Sequence, residues 1–243
     1  MKSRKGVHLL PSLFTTGNVV CGFYSFIAAL NDKFLLAAWA IVLATIFDFL
    51  DGRIARMTKT TSDFGMQYDS LADVISFGMA PAFLCYAWVL KPFGRIGWMA
   101  AFLYLLCAAL RLARFNTVKE VQSQYFVGLA TPAAAAVIAS ILIAFEDLFG
   151  SRVHPGFMVA IVYILAFLMV SNIKYPAFKK FEFRKRVSFT RFLLVILVLY
   201  ALATIPKIAL FIISFGYTML GPIVAFSFQK NNLNAVSDNI KFP

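Results

Sequence analysis

The chain has 243 residues, of which 61% are hydrophobic and only 14% are charged, and its mean hydropathy of +0.80 is too high for a soluble domain. Composition therefore predicts an integral membrane protein. Lys and Arg exceed Asp and Glu by 12, which in a membrane protein indicates cytoplasmic loops and anionic lipid contacts and argues against a nucleic-acid partner.

Stretches of about 20 apolar residues, the length that crosses the hydrocarbon core as a helix, recur along the whole chain. Eight of them predict transmembrane helices, at 9–30, 34–56, 66–90, 94–115, 126–147, 155–175, 190–206 and 207–228. Pro206 separates the last two, which leaves a kinked or hairpin arrangement of that pair open. We expect residues 1–228 to form a single membrane domain and the polar residues 229–243 to form a cytoplasmic tail.

The basic residues predict the orientation of these helices. With a cytoplasmic N-terminus, 18 of the 23 Lys and Arg residues fall in cytoplasmic segments, and seven of the 18 lie between Lys174 and Arg191. We therefore predict a multi-pass protein of the cell (inner) membrane with its N-terminus in the cytoplasm. The group of seven cations is expected to contact anionic lipids.

Carboxylates are concentrated at the predicted cytoplasmic ends of the second and third helices, where residues 48–73 hold five of the eleven acidic residues. Asp48 and Asp51 are one helical turn apart, and Asp69 and Asp73 form a similar pair on the next helix. Ionised carboxylates at membrane depth are costly and repel one another unless they bind a cation. Oxygen ligands that leave room for water and phosphate favour Mg²⁺ or Mn²⁺.

The acidic segment also allows two alternatives to a metal site. An interfacial belt of salt bridges to Arg53, Arg56 and Lys59 explains the charge, but it does not explain why Gly52 and Ala55 leave space beside the first Asp pair. A divalent-cation transporter also gathers carboxylates inside a membrane. Its ligands would lie near the bilayer midplane, whereas these residues lie at one edge.

The acidic segment also forms a longer pattern, Asp48-x2-Asp51-Gly52-x2-Ala55-Arg56-x8-Gly65-x3-Asp69-x3-Asp73. This pattern resembles the signature of the CDP-alcohol phosphatidyltransferase family at all eight defining positions. The resemblance implies a homodimer with a six-helix catalytic core, here followed by two C-terminal helices, and two metal ions per active site. It also implies transfer of a phosphatidyl group from a CDP-linked lipid to an alcohol, with release of CMP.

The same resemblance implies roles for individual residues. It assigns metal binding to four carboxylates, Asp48, Asp51, Asp69 and Asp73. It assigns the CDP-lipid site to Gly52, Ala55, Arg56 and Gly65. Because Asp73 lies one turn beyond Asp69, Asp73 is also the candidate catalytic base that accepts the proton of the attacking hydroxyl.

Four further segments resemble the phosphatidylserine synthases of bacteria and archaea within that family, namely PSLFTTGNVVCGFYS at 11–25, RLARFN at 111–116, YFVGLATPAAAA at 125–136 and YPAFK at 175–179. Their resemblance implies CDP-diacylglycerol as donor and L-serine as acceptor. Glycerol phosphate, inositol phosphate or an archaeal CDP-lipid is the alternative substrate. Thr15 and Asn18 are predicted to line the CDP-lipid site, although such residues also serve as packing contacts in membrane helices.

The fourth predicted helix ends in residues that suit a carboxylate. Arg111 and Arg114 are one turn apart, and Asn116 follows them. Serine carries a carboxylate that glycerol phosphate and inositol phosphate lack, and the planar guanidinium fork binds carboxylates well. We therefore predict a serine pocket formed by Arg111, Arg114 and Asn116. The alternative is that both arginines only anchor the helix at the membrane interface.

Overall fold

The computed structural model describes residues 9–58, 62–117, 125–146, 150, 152–176, 193, 197 and 204–239. Helices account for most of these residues, and five of the helical segments are long and apolar enough to cross a membrane. The prediction of an all-α integral membrane protein is therefore confirmed. Large hydrophobic side chains such as Leu13, Phe49 and Phe167 are exposed, as expected for a surface that faces lipid.

The helices of the first half lie close to their predicted positions. They are α1 (Leu9–Leu30), α2 (Phe34–Thr58), α3 (Asp63–Asp73), α4 (Ala80–Cys85) and α5 (Arg95–Thr117). Helices α3 and α4 belong to one continuous helical span, which also contains π-helical segments at Val74–Met79 and Tyr86–Leu90 and ends in a 3₁₀ turn at Lys91–Phe93. The first π-helical segment begins directly after Asp73, and such segments often occur at functional sites.

A proline inside this long span explains one of its contacts with α5. Pro81 has no N–H to donate to the carbonyl of Phe77, four residues earlier in the helix. The hydroxyl of Tyr104 on α5 donates to that carbonyl instead, at 3.2 Å. The proline therefore leaves a buried acceptor that a neighbouring helix satisfies.

The second half contains α6 (Thr131–Ala144), α7 (Pro155–Val170) and α8 (Pro206–Asn239). Strands β1 (Tyr125–Val127) and β2 (Lys174–Pro176) flank α6 and α7 and pair antiparallel, with Phe126 opposite Tyr175. The predicted spans 126–147 and 155–175 were therefore too long, because their outer ends form this strand pair. Pro132 in the first turn of α6 fixes the start of that helix, and Gly128 supplies the preceding turn with a φ of +79°.

The C-terminal predictions are only partly covered by the structure. The predicted span at 190–206 lies almost entirely outside the described residues. The last helix, α8, continues to Asn239, past the predicted boundary at residue 228. The division into a membrane domain and a cytoplasmic tail, and the total of eight spans, stay predictions.

Small residues allow close packing in the middle of the bundle. Ala134, Ala135 and Ala139 of α6 are fully buried, and α6 packs against both α2 and α8. Helices α1 and α2 also pack together, and Ser25 Oγ donates to the Ala37 carbonyl across them at 2.9 Å. Inside a membrane, close backbone approach and hydrogen bonds such as this one hold helices together, because lipid removes the hydrophobic driving force.

Candidate active site

Carboxylates from α2 and α3 meet where α2 ends and α3 begins. One carboxylate oxygen each from Asp48, Asp51 and Asp69 lies within 4.8 Å of the other two. Oδ2 of Asp51 and Oδ1 of Asp69 are buried and have no hydrogen-bond partner among the described residues. Buried carboxylate oxygens that lack a donor are unfavourable, so they fit a hard divalent cation such as Mg²⁺ or Mn²⁺. Three of the four Asp residues that the sequence predicted to bind metal therefore lie together.

Asp73, the fourth carboxylate of the pattern, lies on the α1 side of this cluster. It is only 8% exposed, and it accepts a long hydrogen bond of 3.4 Å from Nδ2 of Asn18. Asp73 and Asp48 face each other within hydrogen-bonding reach. One amide therefore faces one oxygen of Asp73, which favours a fixed orientation for this carboxyl group.

Helix α1 approaches the cluster closely because of a glycine. A Cβ added at Gly22 would lie 2.7 Å from the Cα of Ser76, in the first π-helical segment. Ser76 Oγ also donates to the carbonyl of Asn18 at 2.9 Å. This contact brings α1 against the helical turn that follows Asp73, and it explains how Asn18 reaches that carboxylate.

Thr15, one turn before Asn18, lies beside Asp51. Its hydroxyl is within hydrogen-bonding reach of the Asp51 carboxylate and also 3.1 Å from the carbonyl of Pro11. A hydroxyl has one proton, so Thr15 donates to one of these acceptors at a time. Two of the six residues that the sequence assigned to the CDP-lipid site thus contact carboxylates of the pattern, Thr15 at Asp51 and Asn18 at Asp73.

The small residues of the pattern leave open space beside the Asp cluster. A Cβ added at Gly52 meets only the Nη2 atom of Arg56 within 4 Å, at 3.9 Å, among the described atoms. Gly52 and Ala55 are half-buried, and Arg56 is exposed. Gly65 lies in the first turn of α3, where its N–H donates to the capping hydroxyl of Ser62 at 3.0 Å. The backbone beside Asp51 is therefore open to a ligand.

The two arginines that were predicted to bind the substrate serine make different contacts in the structure. Arg111 interacts electrostatically with Asp48 and Asp73, and its Nη1 donates to Thr131 Oγ1 at 3.2 Å. Arg114 Nη2 instead donates to Asn172 Oδ1 at 2.8 Å, in the segment between α7 and β2. Arg111 therefore faces the cluster, whereas Arg114 links α5 to a loop.

Asn116 joins α5 to α3. Its Nδ2 donates to Ser70 Oγ at 3.0 Å and to Gln67 Oε1 at 3.3 Å. Ser70 directly follows Asp69, so this contact ties the end of α5 to the helix that carries two of the four carboxylates. The role of Asn116 in serine binding stays a prediction.

Sequence reasoning missed Thr131 as a site residue. Thr131 is fully buried at the start of α6, and it accepts the Arg111 hydrogen bond. The sequence feature that could have indicated Thr131 is its place in the segment YFVGLATPAAAA, which also contains the strand and turn that precede α6. Spacing along the chain could not show that this threonine meets an arginine 20 residues earlier.

Comparisons with known proteins agree with this geometry. The family model for CDP-alcohol phosphatidyltransferase matches residues 8–171. The chain is 38% identical over 233 residues to the CDP-diacylglycerol--serine O-phosphatidyltransferase of Helicobacter pylori (strain ATCC 700392 / 26695), covering 93% of this chain and 97% of that protein. The chain belongs to the CDP-alcohol phosphatidyltransferase family.

Two more distant relatives carry the same name. The enzyme of Bacillus subtilis (strain 168) is 32% identical over 174 residues, which cover 72% of this chain and 93% of the relative. The enzyme of Methanocaldococcus jannaschii is 36% identical over 179 residues, which cover 73% and 79%. The region matched by the family model contains all of the predicted site residues and ends before β2 and α8.

Proposed function

We propose that this chain transfers the phosphatidyl group of CDP-diacylglycerol to the hydroxyl of L-serine, giving phosphatidylserine and CMP. Family membership supports phosphatidyl transfer, and the names of three relatives support serine as the acceptor. The observation that carries the proposal is the meeting of Asp48, Asp51 and Asp69, two of which have buried oxygens that lack a donor among the described residues. A divalent cation held at such a site can stabilise the charge of a diphosphate.

We assign two divalent ions, Mg²⁺ or Mn²⁺, to Asp48, Asp51, Asp69 and Asp73. When bound, such ions neutralise the diphosphate and stabilise the charge on the CMP leaving group. Arg56 supplies a guanidinium that suits a phosphate, and Gly52 and Ala55 leave the backbone open beside it. Thr15 and Asn18 orient the carboxylates from the α1 side. Gly65 adds no side chain at its own position in the first turn of α3.

Proton transfer is assigned to Asp73. Its oxygen Oδ1 accepts a hydrogen bond from Asn18, and we assign the proton of the serine hydroxyl to its other oxygen. The serine oxygen then forms a bond to the lipid-linked phosphorus while the bond from that phosphorus to the CMP oxygen breaks. Arg111, close to both Asp48 and Asp73, binds the serine carboxylate and holds the hydroxyl near the reacting phosphorus.

The setting of the enzyme follows from the same assignment. The N-terminus lies in the cytoplasm, because this orientation puts most of the basic residues on the cytoplasmic side. The active site then opens to the cytoplasm as well. The protein works as a homodimer in the cell membrane, and the seven Lys and Arg residues between Lys174 and Arg191 contact anionic lipids.

The test is turnover by the purified, reconstituted chain. CDP-diacylglycerol, Mg²⁺ or Mn²⁺ and isotopically labelled serine are expected to give CMP and labelled phosphatidylserine, measured by mass spectrometry. Labelled glycerol phosphate and inositol phosphate in parallel reactions test the acceptor. A lipid product from one of these, without one from serine, would overturn serine as the substrate, and the absence of any lipid product would overturn phosphatidyl transfer.

A further inference from the structure

Helix α3 carries Asp69 on a part of the helix that has little apolar packing. The buried residues of α3 are Ala72 and Asp73, both in its last turn. Its large apolar side chains are exposed, namely Phe64, Met66 and Leu71. The π-helical segment that follows at Val74–Met79 also changes the helical phase, because its hydrogen bonds span five residues and not four. The direction in which Asp69 points therefore depends on other contacts that α3 makes.

The residue before Asp69 is held by α1. The hydroxyl of Tyr68 lies 3.0 Å from Oγ1 of Thr16. The Thr16 hydroxyl donates to the carbonyl of Ser12 at 2.7 Å. Because a hydroxyl has one proton, Thr16 accepts at the contact with Tyr68, and Tyr68 is the donor.

The residue after Asp69 is held by α5. Asn116 Nδ2 donates to Ser70 Oγ at 3.0 Å and to Gln67 Oε1, one turn earlier on α3, at 3.3 Å. At about 100° per residue, Tyr68 and Ser70 lie on the two flanks of Asp69. A rotation of α3 about its axis would therefore strain both contacts.

We propose that the contacts on the two flanks of Asp69 form a clamp that holds this carboxylate in the metal site. The positioning residues of the clamp are Thr16 with Tyr68 and Asn116 with Ser70. One carboxylate oxygen of Asp69 lies within 4.8 Å of oxygens from Asp48 and Asp51 on α2, so a rotation of α3 would open the cluster.

The clamp raises affinity for the metal by fixing one of its ligands in advance. A carboxylate that is already in place loses less conformational freedom when the ion binds. The inference rests on the proposed function, because it concerns the ions that the proposed reaction uses. It also gives Asn116 a role other than direct contact with serine.

The direct test removes one oxygen from each side of the clamp, with Tyr68→Phe and Ser70→Ala. Each variant should raise the dissociation constant for Mn²⁺ about two- to tenfold, the range that one hydrogen bond contributes, and the double variant should raise it further. The measurement is electron paramagnetic resonance of Mn²⁺ added to the metal-free protein in detergent, which needs no substrate. An unchanged Mn²⁺ affinity in the double variant would overturn the clamp.

Ser25→Ala is the matched control. It also removes a hydrogen bond between helices, the one from Ser25 Oγ to the carbonyl of Ala37 at 2.9 Å. Ser25 lies about 14 Å from Thr16 along the axis of α1, so this variant should unfold at a lower temperature but bind Mn²⁺ with the affinity of the wild type. An equal loss of Mn²⁺ affinity in Ser25→Ala would indicate a general effect of destabilisation and overturn the clamp.

Thr16 tests the clamp from the side of α1. Thr16→Val removes the hydroxyl and should match Tyr68→Phe, whereas Thr16→Ser keeps the hydroxyl and should bind Mn²⁺ as the wild type does. Combining Thr16→Val with Tyr68→Phe should add little to either single change, since both remove the same hydrogen bond. Independent, multiplicative effects of the two changes would overturn the role of this contact.

Turnover separates this inference from the proposed function. Both clamp variants should need more Mn²⁺ for half-maximal turnover, recover a nearly wild-type rate at saturating Mn²⁺ and keep the wild-type KM for serine. A raised serine KM in Ser70→Ala with unchanged Mn²⁺ affinity would support Asn116 as a serine ligand and overturn the clamp. Wild-type protein that binds Mn²⁺ but makes no phosphatidylserine would refute the proposed function, whereas wild-type turnover with unchanged Mn²⁺ affinity in the double variant would refute only the clamp.

Discussion

The two ends of the helical bundle differ in whether their carboxylates have hydrogen-bond donors within the chain. At the end where α2 meets α3, Asp48, Asp51 and Asp69 crowd within 4.8 Å, and two of their buried oxygens have no donor among the described residues. At the other end, the carboxylate of Glu146 accepts a hydrogen bond from the Trp88 indole and lies beside the Arg152 guanidinium. The first arrangement is incomplete without a ligand, and the second is complete within the chain.

The complete end is built around Trp88. Its indole N–H donates to Glu146 Oε1 at 2.6 Å, and its carbonyl, left open by Pro92, accepts from Arg152 Nη1 at 3.0 Å. Arg152 Nε also lies 3.9 Å from Glu146, and the guanidinium lies over the Phe34 ring. Glu146 and Arg152 are therefore partners of each other, and Arg152 also has a ring beside it, which is typical of a structural network.

The comparison suggests a general criterion. Charges that satisfy one another inside the chain stabilise the fold, whereas buried carboxylates that repel one another are retained for what they bind. Substitutions at the two ends should therefore have opposite effects on activity and on stability.

The largest effect is expected at the Asp cluster. Asp48→Asn and Asp69→Asn should reduce CMP release by more than about 100-fold, since even outer partners of a metal site cost about 10- to 100-fold when removed. EDTA should have the same effect on the wild type. In metal-free detergent solution both variants should unfold at the same temperature as the wild type or higher, because each removes one repelling charge. Full activity in the chelated enzyme, or a large loss of thermal stability in either variant, would contradict the ligand role.

Asp73→Asn distinguishes a base from a ligand at the same end. If Asp73 accepts the serine proton, turnover should fall by about 10² to 10⁴ while binding of metal and CDP-lipid stays close to normal. Mn²⁺ binding by electron paramagnetic resonance and the KM for CDP-diacylglycerol measure those two properties. A metal affinity that falls in step with turnover would make Asp73 a ligand only.

Much of this contrast was predictable from sequence, and the reasons lie in particular residues. Helical spacing alone put Asp48 with Asp51 and Asp69 with Asp73, because positions three and four apart share a helix face. That the two pairs belong to one site needed only the short link between the second and third helices. The strand pair of β1 and β2 was not predictable, since three-residue strands leave no periodic pattern.

The rotation of α5 was also beyond sequence reasoning. The helix is apolar on all sides, so no polar face shows which side packs inward. In the structure Tyr104, Ala108 and Leu112 are buried. At about 100° per residue, Arg111 is about 60° from Ala108 around the helix axis and Arg114 about 120°. Only tertiary packing determines which of the two arginines faces the carboxylates.

At the complete end we expect a loss of stability with activity intact. Glu146→Ala leaves the indole N–H of Trp88, which is 1% exposed, without its acceptor, and this should lower the free energy of unfolding by about 1 to 3 kcal/mol. Glu146→Gln is the matched control, because the amide oxygen still accepts from the indole and the ion pair with Arg152 is partly exposed and weak. Thermal unfolding and CMP release together measure the effect. A large loss of turnover in a folded Glu146→Ala variant would show that the two ends are not independent.

The smallest effect is expected for the two arginines of α5. Their Lys variants should differ in the KM for serine, which distinguishes serine binding from anchoring of the helix. Arg111→Lys keeps the charge beside Asp48 and Asp73 but loses the planar fork, so the serine KM should rise about tenfold while the KM for CDP-diacylglycerol stays unchanged. Arg114→Lys should leave the serine KM within about twofold, because an exposed hydrogen bond such as the one to Asn172 contributes little. Asn172→Ala removes the same contact from the other side and should match Arg114→Lys. If Arg114→Lys raises the serine KM as much as Arg111→Lys does while Asn172→Ala does not, then Arg114 turns toward serine in the working enzyme and both arginines form the pocket that the sequence predicted.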